Sequence, residues 1–189
     1  MSVLRLGAIV EGHGEVKALP VLVKRIALEW DSRQTVIVGP VVRSPASWLR
    51  KQDALESEVE NVARKLGGKG GILILLDCDW EGGCPAEDGP ALLARVARVR
   101  SDMPISVVLA KKEYEAWFLA AAESLRGHRG MVAQFEAPPD PEAVRGAKEW
   151  LTERMAPGRS YAATTDQPAF TELFDMQVAR RRADSFDKC

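Results

Sequence analysis

The chain has 189 residues, 46% of them hydrophobic and 28% charged, with a formal net charge of −1. That balance suits one globular domain with a core of its own and excludes a broadly basic nucleic-acid coat, so any nucleic-acid contact has to be local or borrowed from a partner. Three cysteines and two histidines are too few and too scattered for a disulfide framework or a Cys/His zinc site, which points to a reducing cytoplasm, and no apolar run approaches a membrane span.

Residues 3–10 form an apolar segment interrupted by Arg5, read as a first strand and not as a signal peptide. It runs into Glu11-Gly12-His13-Gly14-Glu15, where the glycines mark a tight strand-to-helix turn. Val16, Leu19, Leu22, Val23, Ile26 and Ala27 then recur at helical spacing to about Trp30, and Pro20 should bend that helix or delay its regular start. A second, β-branched strand covers residues 34–42, with Pro40 favouring an edge position. Residues 43–51 make a loop or helix start carrying Arg43, Trp48, Arg50 and Lys51. A one-faced helix follows over residues 53–66 and is stopped by the glycines at 67–71.

The stretch from Gly71 to Glu81, GILILLDCDWE, is the most informative in the chain. A continuous Ile/Leu run after turn glycines is the pattern of a strand buried on both faces of a parallel sheet. Residues two apart on an extended strand share a side, so Asp77, Asp79 and, if the strand runs that far, Glu81 should face one way and Cys78 the other. Carboxylates held that close either raise a pKa or share a cation. A hard divalent ion with oxygen ligands, Mg²⁺ or Mn²⁺, is the simplest resolution.

Residues 82–89 read as loop, 91–99 as an arginine-rich amphipathic helix and 104–110 as a fourth strand. Lys111-Lys112-Glu113-Tyr114-Glu115 opens a helix through residue 125. A loop spans 127–139, and a helix with Asp140 as N-cap should run to about Met155. Asp166 is expected to cap a last helix ending in Arg180-Arg181-Arg182. Alternating strands and helices predict an α/β layer fold with a mainly parallel four-stranded sheet. One domain is expected, with an α/β core over residues 1–125 and a helical C-terminal extension over 126–189 packed on it.

In open parallel sheets, ligands bind outside the carboxyl ends of the strands. Glu11 ends strand one, Asp77 and Asp79 end strand three, and Lys111 and Lys112 end strand four, all on one edge of the sheet. If strands one and three are neighbours, about 4.8 Å apart, Glu11 sits beside the aspartate pair. Glu15, in the first helical turn, serves either the helix dipole or the site.

The combination of E-G-H-G-E, D-C-D-W-E and K-K-E-Y-E-A-W-F-L resembles the TOPRIM domain of topoisomerases, primases and OLD-type nucleases. The nearest likeness is to a small bacterial TOPRIM-like family, domain of unknown function 4276. The resemblance covers about residues 1–125 and, more loosely, Thr165-Asp166-Gln167-Pro168. It implies a three-layer TOPRIM-like (Rossmannoid) domain and divalent-metal-dependent cleavage of phosphodiester bonds in DNA or RNA. Carried over residue by residue, Asp77 and Asp79 would hold Mg²⁺ or Mn²⁺, and Glu11 would be a metal neighbour and the general acid/base. Glu15 and Glu81 would complete a metal site, Lys111 or Lys112 would face the phosphate, and Glu113 and Glu115 would be further ligands. Members of the family resemble companions of ABC/AAA-type ATPases in phage defence or DNA repair.

Two other readings stand beside the nuclease. One is a non-catalytic regulatory subunit that binds a metal or nucleotide. The other is a receiver-like phosphoacceptor domain, which would want paired acids ending strand one where this chain has Glu11 alone. Gly12-His13-Gly14 lacks the third glycine of a dinucleotide fingerprint, and the glycines at 67–71 precede a strand, so neither is a phosphate loop.

Overall fold

The computed structural model describes residues 3–31 and 33–189. Four strands, β1 (Val3–Val10), β2 (Thr35–Arg43), β3 (Gly71–Cys78) and β4 (Ile105–Lys111), form one parallel sheet in the order β2-β1-β3-β4. β1 and β3 are thus direct neighbours, with Val10 opposite Leu75. β2 is an edge strand, as its Pro40 requires, and its register against β1 shifts between Leu6 and Ala8. β3 is buried along nearly its whole length, in keeping with its unbroken apolar run.

Helices cover both faces, so the domain has three layers. Ile9, Ile72, Ile74, Leu76 and Leu109 pack on one side with α3 (Ala54–Lys65) and α4 (Pro85–Val99), through residues such as Val59, Val62, Leu92 and Val96. The alternate residues Ala8, Val10, Leu73, Leu75, Val108 and Ala110 face the other side. There they meet α1 (Glu15–Trp30), α5 (Ala116–Ala120) and α7 (Ala163–Leu173). Aromatic edges knit this second layer: Phe118 lies 5.7 Å from Phe170 and 5.4 Å from Phe174, and Trp117 lies 5.1 Å from Phe186, ring centre to ring centre. Short helices α2 (Ala46–Leu49), α6 (Ala147–Glu153), α8 (Met176–Arg182) and α9 (Asp184–Asp187) complete the fold.

Four of the expected elements differ in the structure. α1 is continuous through Pro20, which stands in its second turn. α4 starts at Pro85, because proline is well placed at a first helical position and Asp88 accepts a hydrogen bond from the Cys84 N–H (2.8 Å). The helix expected from Asp140 is instead a single 3₁₀ turn, Pro141–Ala143, and α6 begins only after Gly146 in the left-handed region. Asp140 does cap that turn, accepting from the Ala143 N–H at 3.1 Å. The last predicted helix is two, α7 and α8, separated at Phe174–Asp175; Asp166 lies inside the first turn of α7 and accepts from the Ala162 N–H at 2.9 Å.

Candidate functional site

The turn after β1 brings two acids to the sheet edge. Glu11 follows the last residue of β1, and Glu15 opens α1. Glu15 folds back so that its Oε2 accepts from the Gly12 N–H, while its Oε1 accepts from Gln167 Nε2 at 2.9 Å. Gly14 permits this second contact: a Cβ there would collide with Gln167 Oε1 and stand 2.7 Å from the Ala163 carbonyl, so no larger residue lets α7 approach so near.

β3 delivers Asp77 to the same layer, since it continues the parity of Leu73 and Leu75. Its Oδ1 accepts from the Tyr114 N–H at 2.8 Å, which ties the strand end to the segment leaving β4. That segment carries Glu113 and Glu115. Lys148, from α6, reaches both, at 2.6 Å from Glu113 Oε2 and 3.2 Å from Glu115 Oε2. Glu115 is fully buried and also accepts from the Tyr161 hydroxyl at 2.9 Å.

The electrostatics show how closely these groups feel one another. Burial, then the charges of Glu115 and Glu15, pushes Asp77 well above the ordinary aspartate range, against an opposing pull from Lys148. Burial also raises Glu11; Asp79 and Glu15 add to the rise, and the Ala46 and Asp77 amides oppose it. Glu115 is raised by burial more than Lys148 and Tyr161 lower it. Burial alone would lower Lys148, but Glu115, Glu113 and Asp77 outweigh it and hold the ammonium above the usual lysine range. Glu11 Oε2 is buried without a hydrogen-bond partner, and Glu115 Oε2 has only the Lys148 ion pair.

The structure therefore brings Glu11 and Glu15 from one turn, Asp77 from β3 and Glu115 from beyond β4 within electrostatic reach of one another, with Lys148 countering Glu115 and Asp77. Asp79 and Glu81 lie beyond the end of β3 and are exposed, so strand alternation does not carry to them; Asp79 still acts on Glu11 through its charge. Lys111 is exposed at the end of β4, on the parity of Leu109 and so of the opposite layer, and its N–H donates to Ser185 Oγ. Lys112 has a left-handed backbone (φ 72°), and its charge acts on Cys78 of that same layer. Among the described residues, no three His, Cys, Asp or Glu side chains are already close enough to ligate one ion. Lys148, Tyr161 and Gln167 had no distinguishing signal in sequence; the nearest hint was the Thr165-Asp166-Gln167-Pro168 string.

The fold and this cluster define an α/β protein of Rossmann-like layering, with a parallel sheet and an acidic centre at its C-terminal edge. The chain belongs to the family described as "Domain of unknown function (DUF4276)", which matches residues 10–188. No curated protein and no solved structure gives a significant match.

Among the described residues, no helix is long and apolar enough to cross a membrane.

Proposed function

We propose that this protein is a divalent-metal-dependent phosphodiesterase acting on nucleic acid, in the manner of the TOPRIM domain of OLD-type nucleases that its motifs resemble. One observation carries the reading: Glu11 and Glu15 from the first turn, Asp77 from β3 and Glu115 from beyond β4 lie near enough that burial, then the charges of its neighbours, raise Asp77 well above its ordinary pKa. A purely structural role gives no reason to crowd acids at such a cost.

The donor set fits a hard cation. It is all oxygen, it includes the unpartnered Glu11 Oε2 and the buried Glu115 Oε2, and Mg²⁺ or Mn²⁺ would neutralise it. Asp77, Glu11 and Glu115 would hold the ion once drawn together, with Glu15 and Asp79 beside them. Bound there, the cation supplies charge stabilisation for a phosphoryl transition state. Glu11, whose carboxyl burial holds above its ordinary pKa, is the residue placed to move a proton. Lys148 holds Glu113 and Glu115 in place and offers a positive charge to a phosphoryl oxygen.

The test is incubation with plasmid, single-stranded DNA and RNA, with Mn²⁺ and with chelator, beside Glu11→Gln and Asp77→Asn. Cleavage that needs Mn²⁺ and vanishes in both variants is expected. Cleavage surviving both substitutions, or none by the wild type on any substrate, overturns the assignment. Co-purification with an ABC/AAA-type ATPase would extend it to phage defence or DNA repair.

A further inference from the structure

Two loops meet beside the carboxylate cluster. The Ala156 N–H donates to the Gly130 carbonyl at 2.8 Å, the Val132 N–H donates to the Arg154 carbonyl at 2.9 Å, and Met131 and Met155 form an antiparallel bridge between them. Arg129 stands on one loop with a left-handed backbone (φ 53°), and Arg159 stands on the other with its side chain laid along Gly130. Both guanidinium groups face Asp166 Oδ1, at 3.5 and 3.7 Å. Asp166 is 2% exposed, the arginine side chains 47% and 48%. The next residue is Gln167, which donates to Glu15, so the pair adjoins the acidic centre.

Arg95 closes on Glu56 at 2.7 and 2.8 Å and Arg100 on Asp102 at 2.7 and 2.8 Å, and the looser pairs elsewhere, such as Arg180 with Glu29 at 3.3 Å, fall on partly exposed acids. Arg129 and Arg159 stand off instead, and Asp166 Oδ1 has no hydrogen-bond partner. One buried negative charge thus holds two positive ones at the surface with their N–H donors largely unspent. A planar, multi-donor pair of this kind matches the oxygens of a phosphate.

We infer that Arg129 and Arg159 grip a backbone phosphate of a nucleic-acid strand, feeding the adjoining phosphodiester to the acidic centre. The ligand class rests on the nuclease reading, but the residues are separate from those of the cluster. The grip is read without metal, by fluorescence anisotropy of a short labelled oligonucleotide in chelator across a salt series, in DNA and RNA versions, with inorganic pyrophosphate as competitor. Arg129→Gln/Arg159→Gln should weaken binding at least tenfold and lower the salt slope by roughly 0.7 per arginine removed; the same pair of changes with Asp166→Asn added, which leaves no buried charge unpaired, should lose affinity equally and keep the melting temperature within a few degrees. Arg98→Gln, an exposed arginine on α4 in the opposite helical layer, should bind the oligonucleotide as the wild type does.

Wild-type affinity and salt slope in the double variant overturn the grip, as does a wild type that binds no oligonucleotide. A fall in melting temperature with affinity intact assigns the arginines to loop packing and also overturns it. Displacement of the oligonucleotide by pyrophosphate at low concentration, with the variant insensitive to both, supports a phosphate site. Binding lost in the arginine variant, in a wild type that never cleaves, supports the grip while refuting the nuclease.

Discussion

Gln167 donates to Glu15 at 2.9 Å across 152 positions of sequence, and this bond fastens α7 to the turn that carries Glu11. The contact is as close as Gly14 allows. Gly14→Ala should therefore push α7 outward and break the bond. Overpacking of this kind costs about 1–3 kcal/mol. A urea melt should show a lower midpoint with an unchanged slope; an unaltered midpoint would mean that the helix gives way at no cost.

The raised carboxylates set an unusual pH dependence. Asp77, Glu11 and Glu115 have folded-state pKa values above those of the unfolded chain, so between the two the folded protein binds more protons. Their contribution is full below the unfolded carboxylate range, roughly pH 4, and is lost as pH rises through the folded values. Asp77→Asn keeps an acceptor for the Tyr114 N–H and removes the charge. In chelator, the variant should gain stability over the wild type as pH is raised, and the denaturant midpoints of the two should converge in acid. Parallel curves would contradict the cause given for the shift.

Lys148 counters two acids at once. Lys148→Met should leave Glu113 and Glu115 without their cation and cost about 2 kcal/mol, discounted for the partial exposure of the ammonium. Adding Glu115→Gln should restore part of the loss, since the neutral amide no longer needs the partner. A double-mutant cycle on thermal melts reads the coupling, and strict additivity would count against it.

Divalent cation should stabilise the folded chain by mass action, about 2.7 kcal/mol at a hundredfold excess over the dissociation constant. A rise in melting temperature with Mn²⁺, absent in Glu11→Gln and Asp77→Asn, is expected in differential scanning fluorimetry. An equal rise in all three proteins would place the ion elsewhere.

Much of the framework is legible from local pattern. The apolar run of β3 and the proline of β2 carry enough information to put one strand in the interior and the other at an edge. Asp77 is legible as an acid ending a buried apolar run, whereas its partner there, the Tyr114 N–H, is not. Lys148, Tyr161 and Gln167 gave no such sign. Lys148 and Tyr161 belong to short or irregular segments, Gln167 sits on a helix whose docking is set by tertiary contacts, and a lysine on a seven-residue helix looks like any solvated charge. Apart from the resemblance, nothing in the sequence sets Glu115 off from an acid opening a helix, because its burial comes from residues that pack over it from far along the chain, such as Tyr161. Asp79 and Glu81 show the converse limit: alternation extrapolates past a strand's end, where the backbone has already turned away.

The aromatic layer that joins Phe118 to Phe170 and Phe174 has a bearing on how the molecule could have been assembled. Residues past 160 supply the rings that seal α5 and, through Gln167 and Tyr161, the groups that orient two of the acids. Cutting the chain there would strip the hydrophobic seal and disarm the acids in one stroke. Folding and chemistry are soldered together in this architecture, and a shortened variant cannot inherit one without the other.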